Sequence, residues 1–193
     1  MKPLLLLILL MTSLLLKGCA SHAVSEQVID ALLVNDRRSH DALVADLDID
    51  AGIKDGQKDG GDALWYSHIV TAVYDGKVLV AGEVPDAVAR AKLIDGIRTI
   101  KGVKEVHDNL SGDAPISPAL QNQDQAIKER LLAALSQIRT IEGFSSSMIN
   151  VIVENGVVYL MGLAHRNEGA TVVNVVRHQP GVRQIVTIFE YLD

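Results

Sequence analysis

A nine-residue phrase, YDGKVLVAG at 74–82, returns eighty positions later as ENGVVYLMG at 154–162. The correspondence extends backwards, with Ile69, Thr71 and Val73 matching Ile149, Val151 and Val153. Beyond the Asp75-Gly76 and Asn155-Gly156 pairs, Val78 and Val80 match Val158 and Leu160. Apolar residues at every second position on both sides of Asp-Gly or Asn-Gly specify two antiparallel strands joined by a type I′ turn, because those pairs enter positive φ cheaply. Each copy is therefore expected to hold a hairpin with one buried face.

The flanks repeat as well. In 85–103, Ala89, Leu93, Ile97 and Ile100 recur at helical spacing, with Pro85 near the start where a helix tolerates it. The matching stretch 167–182 is rich in valine and alone would pass for a strand. The repeat assigns it to a helix, closed by Pro180-Gly181-Val182 as the first is closed by Lys101-Gly102-Val103. A further strand ends each copy.

A helix also precedes the second hairpin, where Ile127, Leu131, Ala134, Leu135 and Ile138 form a stripe and Asp124 is placed to cap it. The first copy has a faint counterpart around 46–61, whose Gly52 and Gly56 weaken a helix, so the first unit is expected to be the less regular. The fold class is α+β: two small αββαβ modules in tandem, each a three-stranded mixed sheet packed against two helices. The expected divisions are 36–112 for the first module, 113–122 for a linker and 123–193 for the second.

The amino end sets the compartment. Residues 1–18 carry a short positive start and an almost unbroken apolar run, too short for a membrane span of about 20 residues. The single cysteine, Cys19, follows directly. "LLLKGC" resembles the signal of bacterial lipoproteins, with Lys17 standing where a small or apolar residue is usual. That resemblance implies cleavage after Gly18 and acylation of Cys19. Two or three acyl chains anchor firmly, whereas one, at about 0.8 kcal/mol per buried methylene, does not. Residues 19–35 form a short tether. Ala20, rather than aspartate, after the cysteine implies the periplasmic leaflet of the outer membrane.

Charge is unevenly divided. Residues 19–120 hold 10 basic and 17 acidic side chains, net −7, whereas 121–193 hold 6 and 7, net −1. The acidic balance argues against nucleic acid as a partner. Anionic lipid would repel the first module more than the second.

Sites for chemistry are sparse. Asp46, Asp48 and Asp50 start like a calcium loop, but Ala51 and Gln57 stand where that loop requires glycine and glutamate. The six histidines fall at no metal-ligand spacing. No phosphate-binding glycine loop or nucleophile elbow occurs. No enzyme activity, cofactor or metal is expected. Trp65 and Tyr66 are read as packing ahead of the first strand.

Hairpin, helix, "PGV" or "KGV", and last strand together resemble the BON domain, a module of bacterial envelope proteins. With "GC" near the amino end, "DRRS" at 36–39, "YDGKVLVAG" and "ENGVVYLMG" followed by "GVRQIVTIFEYL", the chain resembles dual-BON outer-membrane lipoproteins. The resemblance implies a non-enzymatic protein that binds anionic phospholipid and supports envelope integrity, in some members at the division site. It assigns lipid contact to the second module's first helix and nearby loops, here Ala126, Ile127, Lys128, Arg130 and Leu131, and charge adds Arg139. Members often place an aromatic residue near Ala126, which this chain lacks. The alternative is a lipid-anchored adaptor that recognises another envelope or division protein.

Overall fold

The computed structural model describes residues 29, 31, 33–59 and 67–193. Cys19, Trp65 and Tyr66 lie outside the described residues, as do the signal and lipidation readings. Of the expected tether, Ile29, Ala31 and Leu33 are helical, and Ile29 is buried.

The order of elements repeats. The first module runs α1 (His40–Asp59), β1 (His68–Tyr74), β2 (Lys77–Glu83), α2 (Ala87–Arg98) and β3 (Glu105–Ser111). The second runs α3 (Pro118–Leu135), a 3-10 turn (Ser146–Met148), β4 (Asn150–Glu154), β5 (Val157–Ala164), α4 (Arg166–Arg177) and β6 (Gln184–Tyr191). In each sheet the hairpin is antiparallel and the last strand returns parallel to the central one. The hairpin turns have the expected conformation, with φ of 48° and 74° at Asp75 and Gly76 and 48° and 71° at Asn155 and Gly156. The valine-rich segment is helical because Val172 and Val176, one turn apart, both lock into the core at 0% exposure.

Two expectations about the helices are corrected. The first module is not the less regular one: α1 runs 20 residues through both glycines. Burial of Ile49 and Ile53 against β2 and α2 outweighs the roughly 1 kcal/mol that each glycine costs. Gly52 is also where Ile100 packs, since a Cβ there would lie 3.3 Å from its Cγ2. In the second module α3 begins at Pro118, inside the stretch expected as linker. Ser117 caps it, accepting from the Leu120 N–H, with Pro118 at the first helical position.

Asp124 is consequently not a cap. It is buried mid-helix, and its carboxylate accepts from the N–H groups of Asn155 at 2.7 Å and Gly156 at 2.8 Å. Asp46 on α1 does the same for Asp75 and Gly76, at 2.6 and 2.7 Å. A type I′ turn leaves two N–H groups pointing at the helix, and one carboxylate satisfies both. Each module thus straps its first helix to its own hairpin.

The largest correction concerns burial. The hairpins were expected to bury one face, but the central strands β2 and β5 are buried on both. Val78 and Val80 face the helices of the first module, and Val158 and Leu160 those of the second. Leu79 and Ala81, with Ala72 and Tyr74, meet Ile152, Tyr159, Met161, Leu163 and Ile188 in one apolar cluster drawn from both sheets. The modules therefore pack sheet against sheet, with four layers in the order helices, sheet, sheet, helices. Full burial of a side chain such as Leu79 or Met161 contributes about 1.5–3 kcal/mol.

Candidate lipid-contact site

Polar contacts at the margins of the sheet-to-sheet seam absorb several residues singled out in the sequence. "DRRS" is a clasp. Arg38 holds Asp36 with contacts of 2.6 and 3.1 Å, reaches Asp46 at 2.7 Å, and lies over the Tyr74 ring 4.2 Å from its centroid. Burial disfavours charge on Asp36, but the Arg38 guanidinium and backbone N–H outweigh it and hold the carboxyl below its ordinary pKa. Burial, reinforced by Asp36, pushes the Tyr74 phenol up to about 12. Arg37 crosses to the second module, donating to the Leu163 carbonyl and forming a two-pronged pair of 2.5 and 2.7 Å with buried Glu168. Lys77 pairs with Glu190 across the same seam at 2.9 Å.

The proposed lipid-contact residues separate on α3. Ile127 and Leu131, 1% and 0% exposed, belong to the core with Leu135 and make no surface; the core takes the stripe that was assigned to lipid. Lys128 and Arg130 are two residues apart, about 200° around a helix, and so flank opposite sides. Lys128 shares its flank with Leu132, which is 42% exposed. Arg130 shares the other with half-buried Ala126, and its Nη2 donates to the Pro180 carbonyl at 3.1 Å. Arg139 lies beyond the helix, its guanidinium donating to the Ser136 carbonyl at 2.6 Å, where a cation satisfies exposed helix-end carbonyls.

One residue absent from the sequence reading completes a cationic site. Arg183 follows the Pro180-Gly181 turn and donates to the Asn155 carbonyl and side-chain oxygen at 3.2 and 3.0 Å. It and Arg130 flank Gly181: a Cβ on Gly181 would lie 3.7 Å from the Arg130 Nη2, and the Gly181 carbonyl lies beside Gly156, over which Arg183 packs. Among the described residues neither guanidinium has a carboxylate partner. Arg177 and His178 close α4 a few residues earlier, His178 against the Asn174 carbonyl.

The repeat supplies an internal comparison. Arg183 N–H donates to the Gly156 carbonyl at 2.8 Å, and Lys104 N–H donates to the Gly76 carbonyl at the same distance. Lys104 is neutralised by Asp75 at 2.9 Å, whereas Arg183 meets Asn155, which carries no charge. Arg130 lies six residues beyond its strap aspartate, and the residue six beyond Asp46 is Gly52. Equivalent positions thus carry two arginines without carboxylate partners in the second module, among the described residues, and a glycine and a paired lysine in the first, where exposed Lys101 beside Gly102 is the cation left at that end.

Residues 45–113 and 123–192 each match the BON domain family. The chain belongs to that family. Its two BON domains are the two modules just described. Along 97% of its length the chain is 22% identical to the outer membrane lipoprotein DolP of Haemophilus influenzae, covering 96% of that protein. It is 27% identical over 131 residues to a 21 kDa hemolysin of Actinobacillus pleuropneumoniae, covering 66% of this chain and 64% of that one. CdsD, a structural protein of the type III secretion system of Chlamydia trachomatis, overlays with a TM-score of 0.31 at 14% identity, over 75% of this chain and 92% of that one. That score is too low to speak for shared architecture. Among the described residues no helix is long and apolar enough to cross a membrane, and no cluster of three His, Cys, Asp or Glu is arranged to hold a metal.

Proposed function

We propose that this tandem-BON chain is a non-enzymatic lipoprotein of the outer membrane, anchored on the periplasmic side by acylated Cys19, that recognises anionic phospholipid and thereby supports envelope integrity. Full-length similarity to an outer membrane lipoprotein supports the location. The observation that carries lipid recognition is the Arg130–Arg183 pair beside Gly181, whose partners among the described residues are neutral oxygens, where the first domain has Gly52 and a paired Lys104. Phosphate suits such a site, because planar guanidinium groups match its oxygens in geometry and charge.

The contact surface is accordingly Ala126, Arg130 and the 180–183 turn, with Lys128 and Leu132 on the opposite flank contributing less. Two arginines near an anionic surface contribute about 1 kcal/mol each, enough for recruitment beside an acyl anchor but weak alone. The test is co-flotation of the chain lacking residues 1–19 with vesicles of phosphatidylglycerol or phosphatidylcholine at low and high salt. Binding restricted to phosphatidylglycerol at low salt, lost in R130E/R183E and largely kept in K128E, is the expected result. No binding to either vesicle sinks the lipid reading and favours an adaptor that recognises another envelope protein.

A further inference from the structure

At the end of the seam away from the Asp36–Arg38 clasp, three titratable side chains converge from both domains. Glu154, the last residue of β4, is 5% exposed, and Glu83, the last of β2, is 3% exposed. His68, at the start of β1, is the cross-strand partner of Glu83 and places its Nε2 3.1 Å from the Glu154 Oε2. Glu83 accepts from the Ile116 N–H at 3.2 Å, but among the described residues the buried Oε1 of Glu154 has no hydrogen-bond partner. An orphaned oxygen in a buried seam is costly as half of a carboxylate and far less so as a protonated acid.

The histidine does not meet that oxygen, since its Nε2 reaches Oε2 and not Oε1. Gln121 on α3 donates through its Nε2 to the Ile116 carbonyl at 3.3 Å, and the same nitrogen lies 3.5 Å from the His68 Nδ1. His68 thus stands between the Glu154 carboxyl group and the Gln121 amide. The titratable groups acting on Glu154 are then His68 from β1, Glu83 from β2 and Asp124 from α3, with Tyr159 of β5 beside it. Three of these four are acids, and none is a fixed cation.

We propose that Glu154 is a proton-operated latch between the two BON domains: with a proton on its carboxyl group this end of the seam is closed, and loss of the proton loosens it. Burial first, then the neighbouring carboxylates Glu83 and Asp124, raise its pKa above the ordinary glutamate value, against an opposing pull from His68. A carboxyl raised in the folded state favours folding most at low pH, and that contribution declines as pH climbs through the raised value. Rigidity of the tandem therefore responds to pH through a group remote from Arg130 and Arg183, and the latch stands or falls independently of lipid binding.

The direct test is a carbon-13 NMR titration of the glutamate carboxyls in the full chain in neutral detergent micelles, from pH 4 to 9. The expected result is a Glu154 midpoint above that of exposed Glu129 in the same spectra, with amide shifts in both β1 and β4 following the Glu154 midpoint. Thermal unfolding of E154Q adds a second reading: its Tm exceeds the parent's at pH 8, and the advantage shrinks at pH 5. A Glu154 midpoint at or below that of Glu129 overturns the latch, as does an E154Q Tm that falls further below the parent at pH 8 than at pH 5. The titration alone decides the matter if E154Q does not fold.

Discussion

Replacing Asp124 with alanine removes the strap between α3 and the second hairpin and nothing else of similar weight. Its two oxygens accept from Asn155 and Gly156 at 2.7 and 2.8 Å, and the Gly156 bond is fully buried. Each abandoned donor costs about 1–3 kcal/mol, less where water reaches it, which places D124A at about 2–4 kcal/mol. Helix propensity favours alanine by roughly 0.5 kcal/mol and offsets little of this. Because the domains share a seam, they are expected to unfold as one unit of this size, for which 3 kcal/mol corresponds to roughly 6–12 °C in Tm. The assay is urea unfolding followed by circular dichroism, with D124N as a companion that keeps one acceptor and loses about half as much. A D124A cost below about 0.5 kcal/mol, with an unchanged urea slope, would refute the claim that the strap holds the turn.

Other perturbations probe the seam and the clasp. L79A removes a fully buried side chain from the sheet-to-sheet cluster and should cost about 2–5 kcal/mol in urea unfolding, destabilising both domains together instead of the first alone. R37A leaves Glu168, 2% exposed, without its cation; because Arg37 itself is 20% exposed, the cost is set at roughly 2–4 kcal/mol at pH 7, below the figure for a fully buried pair. The Arg37 hydrogen bond is the main cause holding Glu168 below its ordinary pKa, so the stability from this pair is present above the unfolded value and lost as pH falls through the folded one. Tm measured from pH 7 down to pH 3 should therefore fall less steeply in R37A than in the parent.

Much of the fold was legible because its signals are local. Period-two apolar spacing around Asp-Gly and Asn-Gly fixed both hairpins, and the repeat overruled β propensity at Val172 and Val176. The second buried face was missed although it left a trace. Leu79 and Ala81 in β2, and Tyr159 and Met161 in β5, make those strands continuous apolar runs, as strands covered on both sides are. A single hairpin cannot reveal that its cover is the other hairpin, some eighty residues away. Gly52 and Gly56 argued against α1 on propensity, and packing of Ile49 and Ile53 won. The start of α3 was readable from Ser117-Pro118, a cap followed by a first-turn proline, but loop composition masked it.

The site was less legible. That Ile127 and Leu131 belong to the core follows from the same stripe that identified the helix, and the opposed flanks of Lys128 and Arg130 follow from helical geometry. Arg183 carries no such mark. Its place beside Arg130 depends on the Pro180-Gly181 turn meeting α3 across 50 residues, a contact that only the assembled domain provides.

Lipid recognition by the second domain is tested most directly by residue-level NMR of the acyl-free chain titrated with small anionic bicelles at low salt. The expected result is shifts concentrated at Ala126, Arg130 and 180–183, with the equivalent Gly52 and Lys104 unmoved. Shifts centred on the first domain, or none at any lipid concentration, would contradict it.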